Sequence, residues 1–179
     1  MGEFGGASLV VIMVKQEISR AWSLRGPRTS LTQAFVHHVG AKDASDLLER
    51  LVLGIYQLEA EVAPVVFQIA EEGDEVARAV LNWAGEELAS LVIGVIKQLS
   101  FEELVFEVVF FGYLFDGGPL LIEPMQQGIW TVAPRARFSR LEAPPVVGGI
   151  LLGMERAGVN GYYVRDKLID SSRELVGSK

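Results

Sequence analysis

Between Gly73 and Ser100 the chain reads as one long helix. Asp74 offers a side-chain oxygen to the unpaired backbone N–H groups of a first helical turn. After it, Val76, Val80, Ala84, Leu88, Leu91 and Val95 recur at steps of three and four, which puts them on one side of a helix. Glu75, Arg78, Glu86, Glu87 and Lys97 fall elsewhere around it. A stripe that continuous has to be covered by other elements, so it organises the reading of everything around it.

Upstream, the pattern is also helical. Residues 7–22 carry apolar positions at helical spacing, and the stretch Arg25-Gly26-Pro27-Arg28 breaks that helix. Ser30 with Gln33 has the spacing of a capping box, Gly40 suits a C-terminal cap, and Asp43 opens a third helix running to about Leu53. Leu58, Val62, Val65 and Ile69 mark one more apolar face, with the regular helix starting near Ala63 and Pro64 in its first turn. Gly73 ends it.

Downstream, the character changes. Leu104–Gly112 is short, rich in Val and Phe and nearly continuous in apolar residues, as a strand buried on both faces would be. Gly112 to Pro119 is a turn, a helix follows from about Leu120 to Ile129, and a second short strand is expected at Ala136–Leu141. Pro144-Pro145 precedes a glycine-rich apolar helix, Val146–Ala157, and residues 160–179 are a polar, mixed tail without an assignment. The class is therefore α/β: a βαβα unit beneath a helical layer. Two strands alone make a poor sheet, since about three are needed for independence, so further strands are expected from another segment or chain.

Composition removes several function classes. The apolar stretches Leu9–Val14 and Val108–Phe111 fall far short of the roughly 20 residues of a bilayer span. The N-terminus has no basic region before its apolar run, so no signal peptide is expected. A formal net charge of −7 with scattered Lys and Arg leaves no basic stripe for nucleic acid or an anionic membrane. Without cysteine there is no disulfide framework or thiolate chemistry, which fits a cytoplasmic setting. Hydrophobic residues make up 50% and mean hydropathy is +0.30, an excess that points to surface covered by another chain.

Four segments carry a resemblance. They are Arg25-Gly26-Pro27-Arg28-Thr29-Ser30-Leu31-Thr32, Ala63-Pro64-Val65-Val66-Phe67 with Ala70-Glu71-Glu72-Gly73-Asp74, Val108–Phe115 with Gly118-Pro119-Leu120-Leu121, and Ala143–Leu152. In that order they resemble N-acetylglucosamine kinase-like proteins and the wider BadF/BadG-type ATPases of the actin, hexokinase and Hsp70 superfamily. The likeness covers roughly residues 2–158 and leaves 159–179 as a tail. It implies the C-terminal lobe of a ribonuclease-H-like ATPase, with a helix-rich layer on a partial sheet. The family's catalytic aspartate and phosphate-binding hairpins would belong to the other half, so no catalytic residue is expected here.

The same resemblance implies a weak or absent site for ATP and magnesium at Gly112, Tyr113 and Gly118, together with Arg25, Gly26 and Thr29 of the Arg25–Thr29 turn. Two departures bear on it. The family's adenosine strand ends in two glycines where this chain has Gly112-Tyr113, and its Gly-Asp-Glu-Gly run appears as Gly2-Glu3-Phe4-Gly5. Two functions follow: the nucleotide-side lobe of a sugar-kinase-like ATPase, inactive alone and completed by a separate N-terminal lobe, or a non-catalytic module that kept the fold. In either, the unfinished sheet or the long helix is expected to make the chain a homodimer.

The ordinary roles of the same residues are plain. Gly112, Gly117 and Gly118 serve turns, Gly148 and Gly149 serve either close helix–strand packing or the approach of a ligand, and Asp116 before two glycines is a turn former. His37 and His38 lie in a helix without partner ligands at metal spacing. Arg25 and Arg28 flank a turn, where they are solvated or hold an anion. Trp22, Trp83 and Trp130 read as core or interface anchors.

Overall fold

A computed structural model of the chain describes residues 5–141 and 143–176. It is rich in helix, with one small parallel sheet of two strands, an α/β fold. The elements are α1 (Ala7–Trp22), α2 (Ser30–Val39), α3 (Ala44–Val52), α4 (Ala63–Glu71), α5 (Glu75–Leu99), β1 (Glu107–Phe110), α6 (Pro119–Trp130), β2 (Arg137–Arg140), α7 (Pro145–Arg156) and α8 (Arg165–Val176). They divide into two compact units. One holds the residues up to Val108 together with Gly112–Phe138; the other holds Val109–Phe111 and the residues from Ser139 on.

In the first unit the core is made by helices. Val10, Val11, Val14 and Ile18 of α1 are fully buried among Leu31 and Phe35 of α2, Leu47 of α3, Val66 and Ala70 of α4, and Ala84 of α5. Each such aliphatic side chain contributes about 1.5–3 kcal/mol of transfer free energy, and together these fix the layer. A 3₁₀ turn at Ala60–Val62 leads into α4, with Pro64 in its first turn. There its missing N–H deprives the helix of nothing. α5 runs against α6 at close range: a Cβ on Gly128 would come within 2.9 Å of Ala89, and one on Gly85 would strike the backbone of α6. Only residues without side chains permit that approach.

By length and apolarity α5 also has the makings of a membrane span. Its packing accounts for only part of that character. Val76, Val80 and Ala84 lie in the core cluster. The stripe then outruns the core: Leu88 is half-buried, while Leu91, Val95 and Leu99 are exposed.

The caps fall mostly where the residue types place them. Gly40 takes the left-handed conformation after α2, Asp43 accepts from the backbone N–H of Asp46, and Gly73 ends α4 with φ of 104°. The start of α2 differs. Thr29, not Ser30, is the N-cap, its hydroxyl accepting from Leu31 N, and no capping box with Gln33 forms. The reason is Asp74. Its carboxylate takes the backbone N–H of Ser30 at 2.7 Å and the Thr29 hydroxyl at 3.0 Å, while accepting from Ala77 N in the first turn of α5.

β1 is shorter and more open than its sequence suggests. Only Glu107–Phe110 is strand; Phe110 is buried, but Val109 is exposed, as are Leu104 and Val105 before it. The hydrophobic run exceeds the strand because the described sheet has two members, so only one edge of β1 is paired. Pairing is parallel: Arg137 N donates to Phe106 O, and four residues later on each strand Leu141 N donates to Phe110 O. In the second unit, the residues left unassigned include a 3₁₀ turn, Tyr162–Val164, and helix α8, which packs with α7. Gly161 lies close to the Leu151 side chain, whose tip would have to shift for a Cβ to fit there.

Asp74 gives the first test. Burial pushes its carboxyl up, but hydrogen bonds from Ala77, Ser30 and Thr29 outweigh that and leave it below the ordinary carboxylate range. With the folded pKa lowered, the stabilisation is complete above the unfolded value and is lost as pH falls through the folded one. Asp74→Ala should cost about 1–3 kcal/mol in urea unfolding at neutral pH, and the deficit should shrink on acidification. An equal deficit at neutral and acid pH would show that the carboxylate charge is not what holds the junction.

Candidate functional site

The turn after β1 is built on two glycines. Gly112 has φ 109° and ψ 160°, and Gly118 has φ 80° and ψ −154°. Both lie in a region of backbone space that is essentially closed to residues with a Cβ. Between them Tyr113–Gly117 forms a 3₁₀ turn, closed by Phe115 N donating to Gly112 O. Gly118 then starts α6, its carbonyl accepting from Leu121 and Ile122. A Cβ on Gly117 would run into the Phe67 ring of α4, so that residue is fixed by packing.

Gly112 and Gly118 face open space, with nothing within 4 Å of where a Cβ would stand. Bare backbone of that kind fits a flat ligand lying against it. The side chain of Tyr113 follows directly and is 87% exposed, a bulky group in the position next to the open glycine.

The Arg25–Thr29 turn is put together differently. α1 closes with Leu24 N donating to Ala21 O and Arg25 N donating to Arg20 O, the paired bonds of a Schellman ending. That ending puts Leu24 at φ 60°, a left-handed conformation usually left to glycine. Gly26 follows with its N–H on the same Arg20 carbonyl, and a Cβ there would approach Arg20 Cβ to 3.1 Å. The Arg25 guanidinium donates to Ser23 Oγ at 2.9 Å and is otherwise exposed. Thr29 is committed to the fold, since its hydroxyl caps α2 and donates to Asp74.

The six expected positions therefore form two groups. Among the described residues, no hydrogen bond or ion pair joins Gly112, Tyr113 and Gly118 to Arg25, Gly26 and Thr29. Glu3 and Phe4 of the run before α1 lie outside the described residues, whereas Gly5 is tucked against Ala84 and Leu88 of α5. His37 and His38 are exposed in the last turn of α2. Trp130 anchors β2, donating from its indole to Ala136 O and meeting Phe138 edge-on.

Sequence reasoning passed over a cleft of about 570 Å³ beside the second group, lined by Met13, Glu17, Arg28, Glu75, Val80 and Trp83 among others. Its residues come from α1, the turn and α5, and no single stretch of sequence displays them together. The one available signal was Trp83, too bulky to disappear into a helical layer.

The glycine turn makes a sharp prediction. Gly112→Ala and Gly118→Ala should each destabilise by about 1–3 kcal/mol in urea unfolding, although each added methyl enters open space. A loss below measurement at both positions would mean that the turn readily takes up another conformation.

No family model matches the chain. Among curated proteins it is similar to N-acetyl-D-glucosamine kinase of Dictyostelium discoideum, 25% identical over 158 residues, which covers 86% of this chain and 50% of that protein. The chain thus spans about half the length of the curated relative it matches. That likeness supports a sugar-kinase-like relationship.

Proposed function

We propose that these 179 residues act as the nucleotide-side, C-terminal lobe of a sugar-kinase-like ATPase of the BadF/BadG type, with a ribonuclease-H-like sheet completed by strands outside them. The observation that carries this reading is the extent of the likeness: most of this chain, but half of the kinase it resembles. The order of elements supports it too, since a parallel strand, a glycine-bracketed turn, a helix and a second strand follow one another as the resemblance implies.

In this reading Gly112 and Gly118 lend bare backbone to the nucleotide, and the exposed Arg25 guanidinium is a donor for its phosphates. Bound Mg-ATP would supply the phosphoryl group. The sugar hydroxyl needs a base and the phosphates need positioned charge, and the resemblance assigns both to the other half of the kinase. Tyr113 then stands where the family keeps a second glycine, and it crowds the ligand.

Two measurements on the 179-residue chain test this together. With Mg-ATP and N-acetylglucosamine it should form no sugar phosphate above background, and Tyr113→Gly should bind ATP or ADP more tightly in calorimetry, by about tenfold (~1.4 kcal/mol). Turnover by the unmodified chain would sink the lobe reading. No gain from the substitution would show that the tyrosine is not the obstruction.

A second reading is a non-catalytic dimerisation module. It is favoured by the exposed Leu91, Val95 and Leu99 on α5, an apolar line that no described residue covers. Light scattering at micromolar concentration should then give twice the 19.6 kDa monomer mass, and Val95→Glu should halve it. A monomeric mass for the unmodified chain excludes this second reading.

A further inference from the structure

The chain contains two asparagines, Asn82 and Asn160, and the fold treats them differently. Asn82 lies within α5, where its side-chain amide donates to Glu86 at 2.7 Å. The next residue is Trp83, whose backbone N–H belongs to the helical ladder. Asn160 is exposed in the short connection between α7 and the 3₁₀ turn Tyr162–Val164, and the next residue is Gly161. Its Oδ1 accepts from the Tyr162 backbone N–H at 3.0 Å, while Val164 N donates to the Gly161 carbonyl at 3.1 Å. These bonds fold the asparagine side chain back along the backbone that follows it. The N–H of Gly161, lying between them, donates to no described residue.

That arrangement sets an electrophile beside a nucleophile. The hydrogen bond on Oδ1 draws electron density from Cγ and stabilises negative charge that builds on the oxygen. The Gly161 nitrogen has no acceptor holding its proton, and glycine adds no Cβ beside it. We propose that Asn160 is a site of spontaneous deamidation in the folded chain. The Gly161 nitrogen gives up its proton to solvent base and bonds to Asn160 Cγ. The Cγ–Nδ2 bond breaks, Nδ2 takes up a proton and leaves as ammonia, and a five-membered succinimide remains. Water then opens the ring. Attack at the side-chain carbonyl gives aspartate, and attack at the main-chain carbonyl gives isoaspartate, with the chain now running through Cγ. Either product restores the Gly161 N–H and carries one more negative charge than the parent. The new carboxylate enters a cleft lined by Glu155, Tyr162 and Arg165, where the exposed Arg165 guanidinium pairs with no other described residue. Neither the nucleotide reading nor the dimer reading is needed for this step.

Incubation of the folded 179-residue chain at mildly alkaline pH, followed by peptide mapping, tests this. Trypsin releases Asn160 in the peptide Ala157–Arg165 and Asn82 in the peptide Ala79–Lys97. The first should gain one mass unit and resolve into aspartyl and isoaspartyl forms, while the second stays unchanged. Because one proton must leave before the ring closes, the rate should climb about tenfold per pH unit. Gly161→Ala should slow the conversion at least about tenfold, or about 1.4 kcal/mol of barrier. Asn160→Gln, which would need a six-membered ring, should leave its peptide unmodified. Conversion that occurs only after unfolding in urea would overturn the proposal. So would equal conversion at Asn82, which would show that the fold selects neither asparagine, or an unchanged rate in Gly161→Ala.

Discussion

The helical layer turns on one carboxylate. Asp74 caps α5 through Ala77 and reaches across to the start of α2, where it holds the Ser30 N–H and the Thr29 hydroxyl. Helix starts leave several N–H groups without partners, and a single side chain here satisfies donors from two of them. The bonds do more than close orphan groups. They set the distance between α2 and α5, and so the space in which α1 and α4 pack their valines. They also draw Thr29 into the scaffold, where its hydroxyl caps α2 and donates to Asp74.

A second constraint is the approach of α5 to α6. Gly85 and Gly128 remove the side chains that would hold these helices apart, and α6 is fixed directly after Gly118. The turn that presents Gly112 and Gly118 is therefore anchored at its far end by α6 and through Gly117 by the Phe67 ring of α4. Packing on both sides holds the loop in a backbone region that glycine reaches readily and residues with a Cβ do not.

The apolar surface is unevenly covered. Along α5 one face begins in the core at Val76, Val80 and Ala84 and ends in solvent at Leu91, Val95 and Leu99. In the sheet, Val109 is open, and among the described residues β1 is paired along one edge only. Both features leave apolar side chains of the described residues exposed.

The order of helices and strands was legible in the sequence because its signals are local. Periodicity at α1 and α5, a proline at the start of α4, and the caps Gly40, Asp43 and Asp74 each act within a few residues of themselves. The extent of β1 was not legible. Leu104–Gly112 is apolar but for Glu107, yet a strand lasts only as long as its partner, and β2 supplies four residues. Nor was the start of α2, where Asp74, forty-four residues away, took the Ser30 N–H and left Thr29 as the cap. The same holds for the sites. Glycine at 112 and 118 announced a turn, whereas their open backbone, the commitment of Thr29 and the cleft around Trp83 arise from side chains that only the packed helices bring together. Local chemistry determined the elements; long-range hydrogen bonds and packing decided which surfaces remained free.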